Sequence, residues 1–265
     1  MKELLEIAKR AALDAGAEIL RIYTDPSQDF GVEKKSDNSP LTLADKAAHL
    51  CIMRHLQETG IPVLSEEGQH LPFSERQTWK RLWVVDPLDG TKEFIKKNGE
   101  FTVNIALVED GNPVLGVIYI PVTDILYYGI AGEGAWKETP SDSPSVGRTK
   151  ESLPIEEERE EGRLVIVASR SHMNAETEEY IDQLRKNHDS IQLVSSGSSI
   201  KICLVAEGFA DAYPRFAPTM EWDTAAGDAI ARASGCSVVN VQTGAPLLYN
   251  KEDLHNPWFL VKAGA

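Results

Sequence analysis

Asp86 and Asp89 stand three residues apart in Trp83-Val84-Val85-Asp86-Pro87-Leu88-Asp89-Gly90-Thr91-Lys92-Glu93-Phe94. An apolar strand-like run delivers Asp86 at its C-terminal end, Pro87 is expected to stop ladder pairing, and Gly90 permits a tight turn. The bend therefore collects two carboxylates and one hydroxyl. The backbone N–H groups of Gly90 and Thr91 are free to meet an anion. Two Asp in a turn can be purely structural, because Asp caps turns readily. A different phosphatase chemistry uses a strand followed by D-x-D-G-T, with a nucleophilic and an acidic Asp two apart. The spacing of three suits shared metal ligation better.

Two more acidic elements join this one. Ser65-Glu66-Glu67-Gly68 follows Pro62-Val63-Leu64, so Glu66 is expected at a strand end facing the same crevice. Trp222-Asp223-Thr224-Ala225-Ala226-Gly227 puts an acid at the start of a helix of small residues. Asp223 can serve there as an ordinary N-cap. That helix start also offers unpaired N–H groups and a positive dipole to a phosphate. Carboxylates converging without cations would repel and raise one another's pKa. Oxygen donors of this kind suit Mg²⁺ and not thiophilic metals. Glu67 is expected to orient a metal-bound water from behind the ligands.

The surrounding pattern must position these groups. Apolar residues Leu4, Leu5, Ala8, Ala11, Ala12, Ala15, Ile19 and Ile22 make the stripe of a helix over 3–22, and a second helix is expected over about 43–58. Thr42 and Asp45 resemble a capping pair at its start. Strands over 82–85, 101–108, 114–120 and 125–131 then read as an antiparallel meander behind the two helices. The Ser/Pro/Glu-rich run 138–162 reads as an exposed connection and the domain boundary, dividing an α+β half (1–146) from an α/β half (147–265). In the second half, strands near 163–168, 191–194, 209–213, 236–241 and 258–262 alternate with helices near 174–187, 199–206 and 223–234.

The 265 residues carry a formal charge of −14, which argues against a nucleic-acid or anionic-membrane binder. A phosphorylated substrate would be repelled unless bound cations reversed the local field. The first ten residues lack the apolar core of a signal peptide, and no run is long enough to span a membrane. Cys51, Cys203 and Cys236 are widely spaced and odd in number, as small core residues of a cytoplasmic protein would be. Peripheral association with the cytoplasmic face of an inner membrane would need a partner.

DPLDGTKEF, SEEG and WDTAAG together resemble the lithium-sensitive, Mg²⁺-dependent phosphatase superfamily that includes inositol monophosphatase. The longer segments DNSPLTLADKAAH, DPLDGTKEFIKKNGEFTVNIAL, SSGSSIKICLVAEG and YPRFAPTMEWDTAAGDA narrow the likeness to its bacterial 3′(2′),5′-bisphosphate nucleotidases. The resemblance implies a layered αβαβα sandwich with two or three Mg²⁺ per site. It also implies hydrolysis of 3′-phosphoadenosine 5′-phosphate to AMP, with the sulfated nucleotide a further substrate, in sulfur assimilation. By the same resemblance Asp86 bridges two metals, Glu66 and the Leu88 carbonyl complete the first site, and Asp89 and Asp223 complete the second. Asp45 and Thr91, with Glu66, would activate the attacking water. Glu66, Asp89, Gly90, Thr91 and Asp223 would surround the scissile phosphate, while Ser198, Lys201 and Arg215 would meet the second phosphate or the adenosine. His172 could reach the nucleotide or be a plain loop histidine, and Asp228 adds unexpected negative charge beside Asp223. The competing expectations are an inositol monophosphatase or broad sugar-phosphate phosphatase on the same scaffold, and a non-catalytic metal or nucleotide sensor.

Overall fold

The computed structural model describes residues 1–26, 30–34, 40–69, 71–141, 147–155, 162–168, 173–188 and 190–264. His172 and most of the KKSDNSP turn lie outside them. In chain order the elements are α1 (Lys2–Tyr23), β1 (Glu33–Lys34), β2 (Pro40–Leu41), α2 (Leu43–Leu56), β3 (Val63–Ser65), α3 (Phe73–Arg76), β4 (Arg81–Asp89) and α4 (Thr91–Ile95). Next come β5 (Thr102–Glu109), β6 (Asn112–Ile120), β7 (Ile125–Ile130), β8 (Gly134–Pro140), β9 (Arg148–Leu153), β10 (Arg163–Ala168), α5 (Ala175–Arg185) and β11 (Ser190–Ser195). The chain finishes with α6 (Ile200–Ala206), β12 (Ala212–Arg215), α7 (Glu221–Ala233), β13 (Ser237–Asn240) and β14 (Phe259–Lys262).

A seven-stranded sheet runs β3-β4-β5-β6-β7-β8-β9, and a five-stranded sheet runs β11-β10-β12-β14-β13. Side chains alternate between faces along each strand, so each sheet feeds two cores. Trp83, Val85, Val103, Ile105 and Leu107 pack against Ala8, Ala12, Ile19, Ala48 and Ile52 of α1 and α2. The opposite face, with Leu82, Val84, Ala106 and Ile118, meets Ile202, Trp222, Ala226 and Ile230 of α6 and α7. That same helix layer also covers Val167, Tyr213 and Phe259 of the second sheet. Ile166, Ala212 and Leu260 on its far side pack on Ile181 of α5. The result is the αβαβα sandwich, held by one central helix layer shared between two sheets.

The run 138–162 is not simply a connection. Its residues 148–153 form β9, paired antiparallel with β8 from Ala135↔Leu153 to Pro140↔Arg148. Thr149, Lys150 and Glu151 are exposed on this edge strand, which explains the absence of a hydrophobic signal. The passage from one sheet to the other therefore falls between Leu153 and Arg163, later than a division at 146/147.

The central layer sits unusually close to the first sheet. A Cβ at Gly116 of β6 would collide with the Ala226 carbonyl of α7, and one at Gly129 of β7 would lie 2.9 Å from Ile230 Cα. Glycine at both positions lets α7 rest directly on the strands, which fixes where the helix start, and with it Asp223, can lie.

Candidate active site

The sheet register brings the first two acidic elements together. β3 and β4 run parallel with Ser65 opposite Val85, so Glu66 and Asp86 leave adjacent strands at the same level. The Glu66 N–H donates to the Val85 carbonyl at 3.1 Å. Alternation places Asp86 on the face of Leu82 and Val84, the face covered by α7, from which Asp223 comes. Pro87 does not end β4 as expected. The pairing shifts register after Asp86↔Asn104 and resumes at Asp89↔Thr102. A residue without an N–H is accommodated in a bulge, and bulges re-aim neighbouring side chains. The Leu88 N–H turns back to Asp86 Oδ1 at 3.1 Å. Gly90 follows with φ 95° and starts α4.

One ligand atom each from Asp86, Asp89 and Asp223 lies within 4.8 Å of the others. Asp86 is buried, and burial together with Glu66, Asp89 and Asp223 pushes its carboxyl well above the usual carboxylate range. Burial and then Asp89 push Asp223 up in the same way. Repulsion between carboxylates at this separation is on the order of 3 kcal/mol per pair at an effective dielectric of about 20. Among the described residues, none of these three acids forms a salt bridge with Lys or Arg. An all-oxygen donor set crowded with carboxyl groups fits hard divalent cations.

Each acid is held by its own partners. Asp89 Oδ2 accepts the hydroxyls of Ser198 and Ser199, each at 2.8 Å. Asn104 Nδ2 donates to Ser199 Oγ at 2.9 Å and lies 3.5 Å from Asp89 Oδ2. Thr102 Oγ1 lies 2.6 Å from Ser198 Oγ and 2.8 Å from Asn104 Oδ1; with the Ser198 proton on Asp89, the single Thr102 proton serves one of these two. Asp223 is the third residue of α7, not its N-cap, and its Oδ2 accepts the Met220 N–H at 2.9 Å. Ser199, Asn104 and Thr102 were not identified from sequence. Polar residues at 102 and 104 on one face of an otherwise apolar strand were the available signal.

Asp45 forms the expected cap and also reaches Thr91. It completes a capping box with Thr42, taking the Thr42 N–H on Oδ2 at 2.7 Å. Its Oδ1 accepts the Thr91 hydroxyl at 3.1 Å. The Thr91 hydroxyl also lies 3.4 Å from the Leu88 carbonyl oxygen, which brings that expected ligand to the same place. Burial pushes Asp45 up to about 6, while the Thr42 bonds oppose that rise and the Glu67 charge adds to it.

Next to the acids lies a cavity of about 250 Å³. Asp89, Gly90 and Asp223 border it, as do Ser198, Lys201 and Arg215. Lys201 is not on a solvated helix face. It is buried, with its Nζ donating to the Ser198 carbonyl at 2.6 Å, and burial brings its ammonium down to about 8. Arg215 Nη2 donates to the Pro218 carbonyl at 3.1 Å, and its buried Nε has no hydrogen-bond partner among the described residues. Lys92 and Lys96 also border the cavity. Asp228 does not add charge to it: the carboxylate is fully buried, clasped by Arg232 at 2.6 and 2.7 Å and by the Tyr249 hydroxyl at 2.8 Å.

The sequence profile of the Inositol monophosphatase family matches residues 1–260. The 3′(2′),5′-bisphosphate nucleotidase CysQ of Escherichia coli strain K12 is 46% identical over 261 residues, covering 97% of this chain and 99% of its own. The solved structure of CysQ from Bacteroides thetaiotaomicron, described as a bacterial member of that family, is 53% identical with a TM-score of 0.90, over 100% of this chain and 98% of the other. The inositol monophosphatase from Anabaena (Nostoc) sp. PCC 7120 superposes with a TM-score of 0.70 at 26% identity, over 99% of this chain and 91% of the other. With the profile matching nearly the whole chain and the layered fold shared with these structures, the chain belongs to the inositol monophosphatase family.

Proposed function

We propose that this chain is a phosphomonoesterase acting on 3′(2′),5′-bisphosphate nucleotides, releasing phosphate from 3′-phosphoadenosine 5′-phosphate and leaving AMP. The observation that carries the reading is one cavity whose lining combines acids of the cluster with buried or half-buried cations. Asp89 and Asp223 border it together with Lys201 and Arg215. A second phosphate offers these cations an anionic partner that a monophosphorylated polyol lacks. Guanidinium forks and ammonium point charges are the usual partners of a phosphate.

Glu66, Asp86, Asp89, Asp223 and the Leu88 carbonyl would hold two or three Mg²⁺. When bound, such ions lower the pKa of water and offset charge on the transferring phosphoryl group. Around them, the chain's own groups orient and move protons. The Thr91 hydroxyl gives its one proton to Asp45 Oδ1, so its lone pairs are turned outward to accept a proton from the attacking water. Asp45, ionised above about pH 6, takes up the proton that Thr91 relays. Water adds to phosphorus as the ester oxygen leaves. The leaving alkoxide takes a proton from a solvent water to become the ribose hydroxyl, and Asp45 returns its proton to solvent. The balance is ester plus water to nucleoside hydroxyl plus phosphate. No side chain becomes covalently attached. Similarity to the CysQ nucleotidases supports the substrate class, and three free cysteines suit a reducing, cytoplasmic compartment.

Phosphate release from 3′-phosphoadenosine 5′-phosphate, inositol 1-phosphate and fructose 1,6-bisphosphate, each with Mg²⁺, tests this directly. The nucleotide should be preferred by at least tenfold in kcat/KM. Equal rates on all three would remove the nucleotide assignment and leave a broad phosphatase.

A further inference from the structure

Lys201 is bonded in a way that contact with a ligand alone does not require. It is 5% exposed, on the first turn of α6, and its ammonium donates to two backbone carbonyls, Ser198 at 2.6 Å and Ser196 at 3.3 Å. The Tyr213 ring lies 5.5 Å from the same Nζ. An ammonium has three donors, so one remains for an anion in the cavity. Burying this charge is unfavourable unless it is partnered; its hydrogen bonds go to the backbone of one short loop, while the charges of Asp89, Glu93 and Glu100 act on it through space.

That loop is under strain. Ser198 holds φ at 52°, in the left-handed region that costs a non-glycine residue free energy. The conformation persists because its surroundings fix it. From it, the Ser198 hydroxyl reaches Asp89 Oδ2 at 2.8 Å. Ser199 cannot replace this bond without loss, because its single hydroxyl proton is also claimed by the Asp223 carbonyl at 2.8 Å. Asn104, at 3.5 Å, is a weak substitute.

We infer that Lys201 is a positioning residue for the metal ligand Asp89, pinning the Ser196–Ser198 backbone so that the Ser198 hydroxyl stays on Asp89 Oδ2. The inference rests on Asp89 as a ligand and not on the identity of the nucleotide. Its consequence is that the cationic wall and the metal-binding carboxylate share one loop. An anion drawing on Lys201 acts on the element that orients Asp89. Partners behind a metal ligand typically alter affinity by about 10–100-fold.

The test is Mn²⁺ binding to the full chain without substrate, read from the loss of the free-ion electron paramagnetic resonance signal. Lys201→Met keeps the volume and removes the donors. It should weaken the tightest Mn²⁺ site by about tenfold. Ser198→Ala should weaken it similarly, and the double variant should be no weaker than either single one, because both act through the same bond. Parent-like Mn²⁺ affinity in Lys201→Met, or two losses that multiply in the double variant, would overturn the inference. If Lys201→Met does not fold, Ser198→Ala alone decides, with unchanged Mn²⁺ binding again overturning it. A chain that fails the nucleotide panel but shows these Mn²⁺ losses retains the positioning role.

Discussion

Asp45 and Asp223 occupy the same place in two different helices. Each is the third residue of its helix, and each takes the N–H of the residue preceding that helix on Oδ2, Thr42 N at 2.7 Å and Met220 N at 2.9 Å. One oxygen of each carboxylate thus satisfies a helix terminus. The rest of the group serves the site: Asp45 Oδ1 takes the Thr91 hydroxyl, and Asp223 joins Asp86 and Asp89. In each case one side chain both caps a helix and faces the candidate site, and a backbone hydrogen bond sets its orientation.

Asp86→Asn preserves shape and removes the most buried member of the acidic cluster. Turnover should fall at least a thousandfold with the far-ultraviolet circular dichroism unchanged. In EDTA the variant should melt no lower than the parent, because the amide replaces a carboxyl whose anion is disfavoured by burial and by Glu66, Asp89 and Asp223. The rise in Tm on adding Mg²⁺ should shrink. Substantial turnover in this variant would rule out a central role for Asp86.

Thr91→Ala should lower kcat by about 10²–10³-fold, the scale expected for removing a positioned proton-transfer partner, while KM changes little. Thr91→Ser retains the hydroxyl and should recover most of the rate. Steady-state kinetics on the three proteins separate this from a folding defect, which would reduce the active fraction in both variants.

Protonation of Asp45 supplies an acid limb. Its carboxyl is held at about 6 by burial, and once protonated it no longer accepts from Thr91 as a base would. The rate should therefore rise with pH up to about 6 and then level, with bound cations moving the limb to lower pH by favouring the anion. In Asp45→Asn the rate should be low throughout and the limb absent. An unchanged limb in that variant would assign it to another group.

Gly197 packs the serine loop against the opposite cavity wall. An added Cβ would lie 2.8 Å from the Glu100 carbonyl oxygen and 3.0 Å from Glu93 Cγ. Gly197→Ala must push these walls apart, an overpacking worth about 1–3 kcal/mol. KM for the bisphosphate nucleotide should rise about tenfold with a lowered Tm. An unchanged KM would show that this loop does not shape the substrate site.

Much of this arrangement is legible in residue order because local chemistry and global fold agree. The alanine stripe of α1 is the face buried on α2 and the sheet, and Asp89, Glu66 and Asp223 stand at strand and helix ends, with Asp86 at the bulge inside β4. What could not be read depends on contacts distant in sequence. β9 carries no apolar pattern because it is an exposed edge, and its partner alone makes it a strand. Lys201 looks like a surface lysine until the Ser196–Ser198 loop folds over it. Asp228 looks like a charge near the site until Arg232 and Tyr249 enclose it. Ser199 and Asn104 become part of the site only across 95 residues of intervening chain.

The central claim is that this acidic cluster works by holding divalent cations. Phosphate release from 3′-phosphoadenosine 5′-phosphate should be measured on protein stripped with EDTA and passed into chelator-free buffer, before and after Mg²⁺ is returned. Activity should vanish on stripping and return in full with Mg²⁺. Undiminished phosphate release from the stripped protein would contradict the account.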